Sequence, residues 1–194
     1  LVLTLSAENP EHEAQQRMRT QAAVGVLRTE WGPNFAVRKV CEYAVTLPDG
    51  PLVFWSPVVR NPSTLPVVDA TDKGLAAMDE VLGALARLQQ TEKHAAELAF
   101  RWHADAMSHD GPDSLIKTWI AIEALSMMGD TNINALKDLL ACEYRCTRAE
   151  INAQLGLGLL FGLRSKVVHG LAPGNDHGAI LDHARAVFRD VARA

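Results

Sequence analysis

The stretch on which our interpretation of the fold depends lies near the end of the chain and reads Leu163-Arg164-Ser165-Lys166-Val167-Val168-His169-Gly170. It is typical of the end of a helix, because glycine readily takes the left-handed conformation that closes one and a histidine in the last turn faces the negative end of the helix dipole. It also combines a permanent cation, Arg164, with His169, and histidine is the usual residue type for proton transfer in active sites. Both residues are therefore explained as parts of a helix end and are also candidates for a functional site.

A helix through this stretch carries two apolar stripes and one stripe of small residues. At about 100° and 1.5 Å per residue, Arg164 and His169 stand roughly 140° and 7.5 Å apart. The first apolar stripe has the pattern of a core face and comprises Gly156, Leu160, Leu163 and Val167. The second lies beside Arg164 and comprises Leu157, Phe161 and Val168, while the small-residue stripe leads to the histidine and comprises Gly158, Gly162, Ser165 and His169. Because both apolar stripes must be buried, we predict that this surface is covered, either within the chain or by a second copy across a two-fold axis.

The composition is that of an ordinary globular protein. The chain has 194 residues, of which 48% are hydrophobic and 22% charged, and this length has room for one good core. Its net charge of −4 provides no overall positive field that would attract RNA or an anionic membrane. Apolar runs fall far short of the ~20 residues of a membrane span, and three cysteines do not suggest a disulfide framework. We therefore expect a cytoplasmic protein that does not enter a membrane.

The hydrophobic pattern changes near residue 70. A helix is predicted over residues 10–31, and alternation from residue 35, a Pro48-Asp49-Gly50-Pro51 turn and a short return strand predict a β-hairpin over residues 35–55. Three prolines between residues 56 and 70 indicate an extended connector. We expect two units: residues 1–70, a helix and β-hairpin element with a Pro-rich connector, and residues 71–194, an α-helical domain. Since the sequence does not begin with methionine, one interpretation of the first unit is the remnant of a larger N-terminal domain.

Beyond residue 72 the periodicity predicts only helices. A capping box formed by Thr147 and Glu150 begins the helix that we expect to continue through the Arg164 stretch. An earlier helix, over residues 114–128, carries Glu123 in the middle of its apolar stripe. A carboxylate there is costly unless it is paired, so we predict that Glu123 is buried and bonded to the helix of Arg164. It then serves either as a structural ion pair or as a group that orients Arg164 or His169.

The two helices together resemble the HEPN (higher eukaryotes and prokaryotes nucleotide-binding) superfamily, most closely its Apea-like branch. The resemblance covers roughly residues 73–193 and is carried by residues 163–170 and by the segment Trp119-Ile120-Ala121-Ile122-Glu123-Ala124-Leu125. It implies an up-and-down helical bundle that forms a homodimer. In catalytic members the motif's arginine and histidine form a metal-independent endoribonuclease site at the dimer interface. Carried over, those roles fall to Arg164 and His169, supported by Glu123 and Ser165, with no cofactor and no metal.

Two further interpretations stay open. The family includes members that bind or scaffold without cutting, so the alternative is a non-catalytic dimeric module that binds a nucleotide, RNA or a protein partner. The other is a metal-dependent phosphohydrolase built on His109-Asp110, with His94 and His103 upstream, although the sequence places no further ligand convincingly. Cys142 and Cys146 lack a second ligand pair, so we expect no zinc. We also predict that Trp102 and Trp119 lie in the core. The scattered histidines are predicted to be solvent-exposed: His12, His177 and His183.

Overall fold

The structure, a computed structural model, describes residues 10–31, 72–108, 111–127, 132–170 and 177–194. Within these ranges it contains eight helices and no strand. The helices are α1 (Pro10–Trp31), α2 (Asp72–Arg87), α3 (Gln90–Ala106), α4 (Pro112–Ser126), α5 (Asn134–Glu143), α6 (Arg148–Leu155), α7 (Leu157–Val168) and α8 (His177–Arg193). The prediction of a mainly α fold is therefore confirmed. The predicted hairpin over residues 35–55 and the His109-Asp110 pair lie outside the described residues.

The hydrophobic core is centred on α4. This helix packs against α3, α8 and α7, while α1 packs along α3 and contributes Ala22 and Val26 to the same core. The largest fully buried side chains are Phe100, Trp119, Ile122, Leu136, Leu140, Ile151, Leu157 and Phe188. Since α7 packs directly against α4, a side chain of α4 that faces α7 can contact the helix of Arg164.

The segment that we predicted as one helix from Thr147 through the Arg164 stretch is two helices. The predicted capping box is present, since Thr147 and Glu150 bond reciprocally at the start of α6. Gly156, however, has φ 57° and ψ 31°, a left-handed conformation that ends α6 before α7 begins. The prediction of a continuous helix was wrong because we placed Gly156 within the core stripe, whereas its conformational freedom forms the break.

A histidine stabilises this break. The Nε2–H of His183 on α8 donates to the carbonyl oxygen of Leu155 at 2.7 Å, which satisfies a carbonyl that has no helical partner at the end of α6. His183 is therefore half-buried, and the prediction that it is solvent-exposed was wrong. His12 is also half-buried, and the side chain of His177 lies outside the described part of the chain.

His103 is a core residue rather than a metal ligand. Its ring is fully buried and stacks on Phe188 with 4.0 Å between ring centroids. Burial first, and then the guanidinium groups of Arg185, Arg28 and Arg189, lower the pKa of His103 from its ordinary 6.5 to about 3. The imidazole is thus neutral in the folded protein throughout the physiological range.

We expect this histidine to make the protein less stable in mild acid. Between pH 6.5 and about 3 the unfolded chain binds a proton at His103 and the folded chain does not, so the free energy of unfolding falls as the pH decreases. The slope approaches about 1.4 kcal/mol per pH unit. Urea denaturation at several pH values measures it, and His103→Phe, which keeps the ring stack, should flatten the profile. A matched substitution at His94, which is exposed on the same helix, should not.

Candidate active site

Arg164 lies in the second half of α7, and His169 is the residue that directly follows the end of this helix. Arg164 is in the helix, and the backbone N–H of His169 donates to the carbonyl oxygens of Ser165 and Lys166, at 3.1 Å each. Gly170 follows with φ 83°, in the left-handed region. The predicted helix end is therefore confirmed, and it leaves His169 exposed and Ser165 half-buried.

Glu123 joins α4 to Arg164. Its Oε1 lies 3.6 Å from an Nη of Arg164, which is an ion pair slightly longer than a hydrogen bond. The same Oε1 accepts a hydrogen bond of 2.7 Å from the indole N–H of Trp119, one turn earlier on α4. The predicted contact between Glu123 and the helix of Arg164 is confirmed. Glu123 is only half-buried, with 26% of its side chain exposed, so the prediction that it is buried was wrong.

The buried residues of α7 do not follow the predicted stripes. Leu157 and Leu160 are buried, and Phe161 packs against the fully buried ring of Trp119 with 5.9 Å between centroids. Leu157 belongs to the second predicted stripe, for which cover by a second copy was one of the two expectations. It lies instead in the core of its own chain, because α7 begins at this residue after the turn at Gly156 and inserts its first turn into the bundle.

Two large apolar side chains of α7 are exposed. Leu159 is 76% exposed and Val168 53% exposed, and nine residues at about 100° each place them on opposite sides of the helix. A Cβ atom added to Gly162, on the side of Leu159, would meet no other described residue within 4 Å. Val168 belongs to the second predicted stripe, which was expected to be covered, and it is exposed within this chain. Leu159 lies on neither predicted apolar stripe, and its exposure was not predicted.

The other candidate residues do not form a site in the described part of the chain. His103 is buried in the core, His94 is exposed, and Cys142 and Cys146 are free thiols. Among the described residues, no three His, Cys, Asp or Glu side chains are arranged to hold a metal ion. Likewise, none of the described helices is both long and apolar enough to cross a membrane.

The described residues thus define an all-helical protein in which an arginine and a histidine close one helix, with a carboxylate of the central helix beside the arginine. No family model, curated protein or solved structure matches this chain.

Proposed function

We propose that this protein is a metal-independent endoribonuclease of the HEPN type, with an up-and-down bundle like that of the Apea-like branch. Arg164 and His169 act at a homodimer interface, and Glu123 and Ser165 support them. The substrate class is single-stranded RNA.

The observation that carries the proposal is the placement of both residues on an open helix end. Arg164 keeps one third of its side chain exposed although it pairs with Glu123, and His169 is exposed five residues further on. Leu159, on the same side of α7 as His169, is also exposed. A second copy placed on that side buries Leu159 and brings a second arginine and histidine to the same cleft.

The chemistry of the pair suits phosphodiester cleavage. A histidine near neutral pH can take the proton of the 2′-hydroxyl or give one to the leaving 5′-oxygen, so two copies supply both base and acid. The Arg164 guanidinium binds the phosphate and stabilises the charge that develops on it without ever deprotonating. Ser165 adds a neutral hydrogen-bond donor.

One observation favours a second candidate, a dimeric module of the same type that binds a nucleotide, RNA or a protein partner without cutting. Glu123 lies 3.6 Å from Arg164 and offsets part of its charge, and the whole chain carries −4. An arginine partly neutralised in this way holds a phosphate less firmly. Binding without catalysis is then the expected behaviour.

Incubation of the purified protein with labelled single-stranded RNA in excess chelator tests both candidates. An arginine–histidine site needs no metal, so cleavage in chelator supports the ribonuclease. RNA that is bound in a gel-shift assay and stays intact supports the binding module. Cleavage that the chelator abolishes contradicts both and directs attention to His109-Asp110.

The homodimer gives a separate prediction. Leu159→Asp should turn a dimer into a monomer at micromolar concentration, because it places a carboxylate in the apolar centre of the proposed interface. Sedimentation velocity measures the change. The chain should stay folded, because the exposed Leu159 contributes little to the hydrophobic core.

Leu82→Asp provides the matched control, because Leu82 is an exposed leucine of α2, away from α7. This variant should sediment as wild type does. A wild-type protein that is monomeric at micromolar concentration would contradict the dimer, and an equal effect of both substitutions would remove the role of α7.

A further inference from the structure

We propose that Trp119 is a positioning residue, whose indole N–H sets the location of the Arg164 guanidinium through the carboxylate of Glu123. The effect of Trp119 on RNA rests on the proposed function. The positioning itself does not, since it concerns contacts within one chain.

A single oxygen links the two side chains. Oε1 of Glu123 accepts the indole N–H of Trp119 at 2.7 Å and lies 3.6 Å from the Nη of Arg164. The first contact has the length of a strong hydrogen bond to a charged acceptor, and the second is a looser ion pair. The indole therefore fixes the carboxylate, and the carboxylate in turn fixes the arginine.

Burial makes the tryptophan the rigid member of this chain of contacts. Its ring is fully buried and packs on Phe161, which lies one turn before Arg164 on α7. Glu123, by contrast, is one quarter exposed, so without the indole its carboxylate can turn towards water. Trp119 thus fixes the position of the partly exposed Arg164 relative to the core, through its hydrogen bond to Glu123.

Arg164 depends on this contact for its orientation. Its Nε is buried and has no hydrogen-bond partner in the part of the chain that the structure describes. Its side chain is nevertheless one third exposed, which leaves guanidinium surface for a phosphate. The Arg164 guanidinium is therefore held in place by Glu123 and still exposes surface to solvent. This is the arrangement expected of a preorganised group that binds an anion.

The test compares Trp119→Phe and Glu123→Gln with wild type by NMR. The readout is the rate of solvent exchange of the Arg164 Nε–H, assigned by its loss in Arg164→Lys. Both variants should raise this rate about two- to fivefold, the order expected when a partly exposed ion pair no longer holds the guanidinium and its buried Nε–H gains access to water. Trp102→Phe, which alters a half-buried tryptophan of α3, should leave it unchanged. An unchanged rate in folded Trp119→Phe overturns the proposal.

A second measurement keeps the test decisive if Trp119→Phe does not fold. In Glu123→Gln the indole N–H proton of Trp119 should shift upfield, because a neutral amide replaces a carboxylate acceptor. No shift means that Glu123 does not hold the indole in solution, and the proposal is wrong.

Cleavage or binding of RNA separates this inference from the proposed function. If Trp119→Phe raises Nε–H exchange while the wild type neither cuts nor binds RNA, the positioning role stands and the proposed function fails. If the wild type cuts RNA and exchange is unaffected, the function stands and the positioning role fails. Where both hold, Trp119→Phe and Glu123→Gln should each lower RNA turnover, and the double variant should be no slower than the worse single one.

Discussion

RNA cleavage in chelator is expected to slow by about 10²- to 10⁴-fold in His169→Ala, because the substitution removes the side chain that transfers protons. Arg164→Ala should cost about 10²- to 10³-fold, since it withdraws the charge that stabilises the phosphate in the transition state. Single-turnover rates on a labelled RNA measure both losses, and circular dichroism verifies the fold. His169 is exposed and Arg164 is only half-buried, so neither truncation opens a cavity in the core.

Lys166→Ala is the matched control for this experiment. Lys166 is an exposed cation on the same turn of α7 that lies between Arg164 and His169, has neither of their proposed roles and is not part of the core. Its removal should change the rate only slightly, through the general electrostatic attraction of RNA. An equal loss in all three variants would indicate that positive charge at the end of α7 matters and that the identity of the histidine does not.

Gly25→Ala is expected to destabilise the protein severely, by at least about 3 kcal/mol, the upper end of the usual range for overpacking. Gly25 is buried where α1 crosses α3, and a Cβ atom there would lie 1.9 Å from the carbonyl oxygen of Phe100. The obstructing atoms are backbone, so no side chain can move aside and the two helices must separate. The midpoint of urea denaturation, followed by circular dichroism, measures the loss against a total stability of about 5–15 kcal/mol.

Gly83→Ala on α2 is the corresponding control. Within the described ranges, a Cβ atom at this position meets nothing within 4 Å. Alanine is the better helix former, so this variant should gain about 0.5–1 kcal/mol. If Gly25→Ala were as well tolerated as Gly83→Ala, the close approach of α1 and α3 would be contradicted.

Local sequence signals determined most helix bounds and the end of α7. The sequence pattern over residues 10–31 predicted α1, and that over residues 114–128 predicted most of α4. The capping box at Thr147 and the left-handed Gly170 were readable in the same way, because caps and turns depend on a few adjacent residues. The hydrogen bond between Trp119 and Glu123 was also within reach of sequence reasoning, since a spacing of four places two helical side chains together.

Tertiary structure decided the features that depend on residues far apart in the chain. Whether Gly156 packs within a helix or breaks it was settled by the insertion of Leu157 into the core and by the bond from His183. The burial of His103 depends on Phe188, which no pattern within α3 reveals. Periodicity gives the side of a helix on which a residue lies and does not give the neighbour that it meets. The distance from Glu123 to Arg164 therefore became visible only once α4 and α7 were packed together.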